Sequence, residues 1–95
     1  MTEAQIQRRL IIDLEKAGWY VVKLIKTTKN GIPDLICHKD GRTVYIEVKR
    51  PGQKPRPLQS YRHKELADHG IMTITATDST CITKPPFTTL TMAST

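Results

Sequence analysis

Apolar residues near the start of the chain recur at helical spacing and predict an amphipathic helix over residues 2–17. Thr2 and Gln5 have the types and the spacing of a capping box at the first turn, and Gly18 supplies a stop. The apolar positions that would share one face are Ile6, Leu10, Leu14 and Ala17. We therefore expect this face to cover a core.

Four later stretches have the β-branched, aromatic and apolar content of strands. They are residues 19–26, 34–38, 42–49 and 71–76. Asn30-Gly31 signals a turn after the first stretch, and Asp40-Gly41 predicts a two-residue hairpin turn between the second and the third. A β-hairpin should therefore lie in the middle of the chain.

A basic loop and a second helix separate the third and fourth strands. Residues 50–57 contain three prolines and a glycine, which is typical of a loop. Residues 58–70 read as a helix ended by Gly70. The order α-β-β-β-α-β predicts an α/β (α+β) fold in which helices flank a mixed sheet.

No boundary or internal repeat divides the chain, so residues 1–95 are expected to form a single domain with one modest core. The Thr-rich tail is interrupted by Pro85-Pro86. It could add a strand near 80–84 or an edge strand near 87–92, or it could reach a partner subunit.

The hairpin turn decides which residues of the two middle strands face each other. The pairs on the apolar face are Leu35 with Ile46 and Cys37 with Val44. The pairs on the other face are His38 with Thr43, Ile36 with Tyr45 and Asp34 with Glu47. Because side chains alternate along a strand, Lys49 lies on the same face as Glu47.

Like charges directly opposed across two strands are destabilising, so Asp34 and Glu47 need an explanation. A divalent cation would remove the repulsion, and Mg²⁺ accepts a few carboxylate oxygens together with water and substrate phosphate. Lys49 would then place a positive charge beside the reacting phosphate. The alternative is that both acids are solvated residues at strand ends.

Charge adds a candidate partner. The chain has 15 Lys and Arg against 9 Asp and Glu, which gives a net charge of +6. A positive surface suits the phosphate backbone of nucleic acids, because each neutralised phosphate releases counterions. Many small basic proteins nevertheless have no specific partner, so charge alone leaves nucleic-acid binding open.

The cysteines, the histidines and the apolar stretches argue against a disulfide-bonded, a zinc-binding and a membrane-spanning protein. Cys37 and Cys81 are far apart and match neither a disulfide framework nor a zinc site, so they are expected to be small buried hydrophobes in a reducing compartment. His38, His63 and His69 show no ligand spacing among themselves and are assigned no metal role. No apolar stretch is long enough to cross a membrane and the N-terminus lacks a signal peptide, which predicts a cytoplasmic protein.

The stretches "GIPDL", "YIEVK" and the later "LQ" together resemble a known pattern. Pro33-Asp34 followed by Glu47-Val48-Lys49 is similar to the PD-(D/E)xK nuclease signature, and the finer context resembles the virus-type replication-repair nuclease family, VRR-NUC. The similarity runs from the first helix to about residue 76. It implies a restriction-endonuclease-like sheet and a Mg²⁺- or Mn²⁺-dependent endonuclease, from a virus or prophage whose product would work in the host cytoplasm.

The resemblance also implies roles for single residues. Asp34 and Glu47 would be metal ligands, helped by the backbone carbonyl of Val48, and Lys49 would position or activate the attacking water. Glu3 would complete the metal site from the first helix; the alternative is a first-turn acid favoured by the helix dipole. Gln59 would contact the site or the substrate from the second helix, or would be an exposed polar residue.

Short VRR-NUC proteins that stand alone resemble dimeric Holliday-junction resolvases, so branched DNA and a homodimer are the expected partners. Arg50, Lys54 and Arg56 of the basic loop would follow the phosphates, unless the loop is a solvated linker. Lys23 is a further candidate for DNA contact, with a snorkelling edge lysine as its alternative. A flap or linear-duplex endonuclease and a non-catalytic basic nucleic-acid-binding module are the competing functions.

Overall fold

The computed structural model describes residues 1–88, and its elements follow the predicted order, with one short helix added at the end. The elements are α1 (Glu3–Lys16), β1 (Tyr20–Lys23), β2 (Leu35–Lys39), β3 (Arg42–Val48), α2 (Pro57–Asp68), β4 (Met72–Ala76) and a 3₁₀ helix (Ser79–Thr83). Among the described residues no helix is long and apolar enough to cross a membrane.

The four strands form one mixed sheet in the order β1-β2-β3-β4. The first two pairings are antiparallel, whereas β3 and β4 run parallel because α2 carries the chain back across the sheet between them. Asp40 and Gly41 both have positive φ, 51° and 77°, as the predicted two-residue hairpin turn requires. Leu35 lies opposite Ile46, so the predicted register is confirmed.

The apolar face of the sheet packs against α1 and forms the core. The capping box predicted at the start of α1 is present, with Thr2 and Gln5 each accepting a hydrogen bond from the backbone N–H of the other. The buried hydrophobic residues are Ile6, Leu10, Leu14, Trp19, Leu35, Cys37, Val44, Ile46, Val48, Ala76 and Phe87. The rings of Trp19 and Phe87 meet edge to face at 5.3 Å, which ties the segment after the 3₁₀ helix to this core.

Both cysteines are free thiols, as predicted. Cys37 is buried in the core, and Cys81 is partly buried against it. Burial raises the pKa of the Cys37 thiol to about 12, with a smaller contribution from Cys81 nearby. These thiols therefore stay protonated and pack as small hydrophobic groups.

Most element ends differ from the sequence prediction by one or two residues, and two differences are larger. β1 ends at Lys23 rather than at residue 26, because Pro33 has no N–H to offer and the pairing stops once Leu24 donates to the carbonyl oxygen of Asp34 across 2.8 Å. The strand predicted near 80–84 is wrong. Asp78 caps that segment by accepting from the N–H of Thr80 across 2.9 Å, which starts a 3₁₀ helix instead. The alternative edge strand near 87–92 lies mostly outside the described residues.

Candidate active site

The hairpin brings the carboxyl groups of Asp34 and Glu47 together, as its register predicts. Asp34 is the last residue before β2, and its Oδ2 accepts a hydrogen bond of 2.7 Å from the backbone N–H of Val48. This bond holds the Asp34 side chain across the mouth of the hairpin. The two carboxyl groups lie close enough for the charge of Asp34 to act on Glu47.

Glu47 is a deeply buried acid, with only 2% of its surface exposed. Its pKa is raised to about 7, mainly by burial and then by the negative charge of Asp34 beside it. The positive charge of Lys49 opposes this shift, while Glu3 adds a small increase. Near neutral pH Glu47 is therefore only partly ionised, and a bound cation would favour its charged form.

Lys49 supplies the positive charge at this site. Its Nζ lies 3.7 Å from Glu47 Oε2, and its side chain is 9% exposed. The backbone of Lys49 is fixed as well, because its N–H donates to the carbonyl oxygen of Ala76 across 3.0 Å, extending the pairing with β4. A lysine buried in this way has few positions open to it, so its ammonium group stays beside the carboxylates.

The start of α2 reaches Glu47 through Gln59. The side-chain Nε2 of Gln59 donates to Glu47 Oε2 across 3.1 Å. Its Oε1 accepts from the backbone N–H of Arg56 across 2.8 Å, which satisfies a donor at the helix N-terminus. Gln59 thus joins the helix start to the buried carboxylate, so the predicted contact of this residue with the site is present.

His63 also lies against Glu47, although the spacing of the histidines among themselves gives no sign of it. Its Nε2 is 3.9 Å from Glu47 Oε1, and burial lowers the pKa of the imidazole. Neither atom has a hydrogen-bond partner among residues 1–88. The signal that could have found it is its position one helical turn after Gln59, which places both side chains on one face of α2.

Comparison with known proteins shows which family this chain belongs to. No family model matches the chain. The protein "Putative nuclease p44" of Acyrthosiphon pisum secondary endosymbiont phage 1 is 32% identical over 65 residues, which cover 67% of this chain and 70% of that protein. A solved structure described as "VRR_NUC domain" matches with a TM-score of 0.75 and 25% identity, over 85% of this chain and 89% of that one. The chain belongs to the VRR-NUC family.

Membership of VRR-NUC confirms the resemblance carried by "GIPDL" and "YIEVK", and it makes the protein a nuclease of this type. The restriction-endonuclease-like fold is confirmed too, since the four-stranded mixed sheet with its flanking helices matches a VRR-NUC domain. The buried Glu47 and Lys49 and the half-buried Asp34 and Gln59 lie at the positions that carry the resemblance to the family.

The carboxylate pair suits a hard divalent cation. Glu47 Oε1 is buried without a hydrogen-bond partner among the described residues, and the charge of Asp34 beside it keeps the Glu47 pKa high. A cation between the two carboxyl groups would satisfy the free oxygen and cancel the repulsion. Mg²⁺ is commonly held by one or two protein carboxylates, with water and substrate phosphate filling the remaining positions.

Glu3 and the backbone carbonyl of Val48 are also predicted as metal ligands. In residues 1–88 no group of three or more His, Cys, Asp or Glu side chains is arranged to hold a metal ion. Glu3, in the first turn of α1, affects Glu47 only through its charge. The ligand roles of Glu3 and of the Val48 carbonyl stay predictions.

The predicted DNA-contacting residues divide between two faces of the molecule. Arg50, Lys54 and Arg56 are exposed on the loop that joins Lys49 to α2, close in the chain to the carboxylate pair. Lys23 pairs with Leu35, so it lies on the opposite face of the sheet from Glu47, beside α1. Contact between Lys23 and a substrate at the carboxylate pair would need DNA that wraps around the sheet edge.

Proposed function

We propose that this VRR-NUC protein is a Mg²⁺- or Mn²⁺-dependent endodeoxyribonuclease that cuts branched DNA, with four-way junctions as its main substrate and a homodimer as its working form. The observation that carries the proposal is the pairing of the buried Glu47 with the half-buried Asp34, with the ammonium group of Lys49 beside Glu47. Buried like charges next to a cation are expected where a protein stabilises charge that develops during a reaction.

The metal would be held by the carboxylates of Asp34 and Glu47, with the carbonyl oxygen of Val48 as a further candidate. When bound, a divalent cation there withdraws charge from the scissile phosphate and favours loss of a proton from the attacking water. Asp34 is already oriented for this role, because the N–H of Val48 occupies one of its oxygens and leaves the other available.

The remaining polar residues orient the reacting groups and the carboxylate of Glu47. Lys49 places its positive charge where the phosphate gains negative charge as water attacks, and it orients that water. Gln59 holds Oε2 of Glu47, which leaves the unpartnered Oε1 for binding. His63 closes the side of the site next to Oε1 and keeps bulk water away from it.

Substrate class follows from charge and size. The net charge of +6 and the exposed Arg50, Lys54 and Arg56 favour binding to phosphates without base reading, which is selection by shape. One protomer has a longest dimension of 39 Å, about eleven base pairs of duplex. Each chain has one Asp34–Glu47 pair, so two copies related by a two-fold axis would place symmetric cuts across a four-way junction.

A competing assignment uses the same residues on a different DNA. A flap or a linear duplex presents the same phosphodiester to the carboxylate pair, and a fold does not fix the substrate. A basic binding module without activity is the other competitor. The complete set of Asp34, Glu47, Lys49 and Gln59 argues against it, because a protein that only binds DNA has no need for a buried carboxylate pair.

The test is cleavage of an end-labelled four-way junction beside a flap and a linear duplex of matched sequence, each with Mg²⁺, Mn²⁺ or EDTA. We expect paired nicks at symmetric positions in the junction, dependence on the metal, and a dimer by sedimentation. Faster cleavage of the flap or the linear duplex would show that this DNA, and not the four-way junction, is the main substrate. The proposed active site would stand. Binding without cleavage under every metal condition would favour the binding module.

A further inference from the structure

An exposed isoleucine lines the same cavity as Asp34. Ile25 is 80% exposed, more than any other large hydrophobic residue among those described. It follows Leu24, whose backbone N–H donates to the carbonyl oxygen of Asp34 across 2.8 Å. The chain therefore carries a large apolar side chain into solvent one residue away from the backbone of a proposed metal ligand.

The segment that bears Ile25, residues 24–33, is anchored to α2; we call it the β1–β2 loop. Arg62 donates from Nε to the carbonyl oxygen of Asn30 across 2.8 Å. Gly31 packs so closely on Leu58 that an added Cβ would stand 2.8 Å from Leu58 Cγ. The helix that positions Gln59 thus also positions the second half of this loop, which leads into Asp34.

The β1–β2 loop is basic and borders a cavity. Lys26, before the bend of this loop, and Lys29, within it, are both exposed, and residues 24–33 contain no Asp or Glu. The cavity, about 330 Å³, is lined by residues 24–27 and 30–34 and ends at Asp34. This volume is at the lower end of the range of ligand-binding cavities, about 300–1,000 Å³.

We propose that the β1–β2 loop is the element that recognises the branch point in DNA, with Ile25 packing against a base left unstacked there. Lys26 and Lys29, which follow Ile25 in the loop, bind phosphates of the strand that carries that base, and a phosphodiester of this strand then lies over Asp34. The occupant is argued from charge: an exposed apolar side chain is followed in the same loop by two exposed lysines and no acid, which matches a base and the phosphates of the strand that carries it. Apolar side chains inserted at base steps are a recurrent way for proteins to hold distorted DNA.

The inference rests on the proposed function for its biological meaning, but binding alone can test it. A branch point has bases that are already partly unstacked, so inserting a side chain there costs less than opening a continuous duplex. Ile25 should therefore contribute to binding of branched DNA and very little to binding of linear duplex. Replacing Ile25 should therefore change the ratio of the affinities for branched DNA and for linear duplex.

The experiment compares wild-type protein with Ile25→Ala, and uses Ile12→Ala as the matched control. Ile12 is an exposed isoleucine on α1, outside the β1–β2 loop. Binding to a four-way junction and to a linear duplex is measured by fluorescence anisotropy in Ca²⁺ or EDTA, with 2-aminopurine at the branch reporting unstacking. We expect Ile25→Ala to lose about tenfold of the junction-over-duplex preference together with the 2-aminopurine signal. Ile12→Ala should match wild type.

Three results would overturn the inference. They are an unchanged preference in Ile25→Ala, an equal loss of affinity for both DNAs, and a loss of dimer in sedimentation, which would make Ile25 a subunit contact. A second variant with Lys26→Ala and Lys29→Ala should weaken binding to both DNAs and reduce the salt dependence by about one counterion per lysine. Absence of cleavage by wild-type protein would contradict the proposed function and leave the binding result to decide the role of Ile25.

Discussion

Gln59 donates a hydrogen bond to Glu47 Oε2 across 3.1 Å while its own Oε1 accepts from the backbone of Arg56 across 2.8 Å. One side chain therefore joins the first turn of α2 to the most buried acid of the molecule. The orientation of Glu47 depends on how α2 begins, and α2 begins where the basic loop ends. A movement of that loop when DNA binds would reach the carboxylate through the hydrogen bond from Gln59.

Replacing Gln59 by alanine should lower both stability and activity. We expect the free energy of unfolding to fall by about 1–2 kcal/mol, because the helix start and a buried carboxylate each lose a hydrogen bond. The cleavage rate should fall by about tenfold or more, since Glu47 is no longer held in place. Urea unfolding and single-turnover cleavage measure the two effects.

The matched control is Gln53→Ala. Gln53 also accepts a hydrogen bond from a backbone N–H three residues earlier, that of Arg50, across 3.0 Å, but it is exposed and does not contact Glu47. It should change stability slightly and leave the single-turnover rate unchanged. Equal rates for both variants would show that the bond from Gln59 to Glu47 has no part in catalysis.

Lys49→Ala and Asp34→Ala should each abolish or nearly abolish cleavage and leave junction binding in place. Loss of a group that stabilises developing charge lowers rates by about 10²–10³-fold. Lys54→Ala is the control for charge, because Lys54 is exposed on the basic loop and should affect binding rather than the rate of the bound complex. Anisotropy and single-turnover cleavage separate the two quantities, and purified Lys49→Ala protein that cleaves at the wild-type rate would remove Lys49 from the mechanism.

The raised pKa of Glu47 predicts how the stability of the metal-free protein depends on pH. The folded state binds the Glu47 proton with a pKa of about 7, against 4.5 for an ordinary glutamic acid. The folded state therefore holds this proton more tightly than the unfolded chain. The resulting stabilisation is fully present below pH 4.5 and is lost as the pH rises to 7, by about 3 kcal/mol at most.

Glu47→Gln isolates this contribution, because glutamine keeps the shape without titrating. In EDTA, wild-type protein should lose stability relative to the variant between pH 5 and pH 8, as measured by urea unfolding at both values. Adding Mn²⁺ at pH 8 should restore stability to wild type and not to the variant. Parallel curves for the two proteins across this range would mean that Glu47 is charged at both pH values.

Gly31→Ala should destabilise the protein more than Gly41→Ala. Both glycines have positive φ, 82° and 77°, so alanine is strained at either position. Only at Gly31 would the new Cβ also meet a neighbour, Leu58, at 2.8 Å from Cγ, whereas nothing lies within 4 Å at Gly41. Overpacking of this kind costs about 1–3 kcal/mol.

Thermal or urea unfolding of the two glycine variants gives that difference directly. Adding Leu58→Ala to Gly31→Ala should recover part of the loss, because a shorter side chain relieves the contact. If the two glycine variants were equally stable, the β1–β2 loop would not be seated on α2 as described.

The central hairpin could be predicted because its determinants are local. Asp40-Gly41 selects the turn, the turn fixes the register, and the alternation of side chains then brings Asp34 to Glu47. The family pattern added Gln59, which no local rule connects to Glu47. Local chemistry and the resemblance together therefore reached four of the residues that meet at the site.

The features that the sequence did not reveal depend on how separate elements dock. His63 reaches Glu47 only because α2 lies across the sheet, and spacing within one helix does not say which neighbour it meets. Lys23 falls on the far face because its pairing with Leu35 sets its direction. The tail segment has strand-like Thr and Ile content, but the cap made by Asp78 turns it into a 3₁₀ helix.

The most direct test of the central claim is the rate of DNA cleavage as a function of Mn²⁺ concentration, after removal of metal with EDTA, for wild type and Asp34→Asn. The asparagine keeps the size of the side chain and an oxygen for the N–H of Val48, and it removes the charge. The account predicts saturable, metal-dependent cleavage by wild type and none by Asp34→Asn on four-way, flap or linear DNA. Cleavage that persists in EDTA, or equal rates for the two proteins, would contradict it.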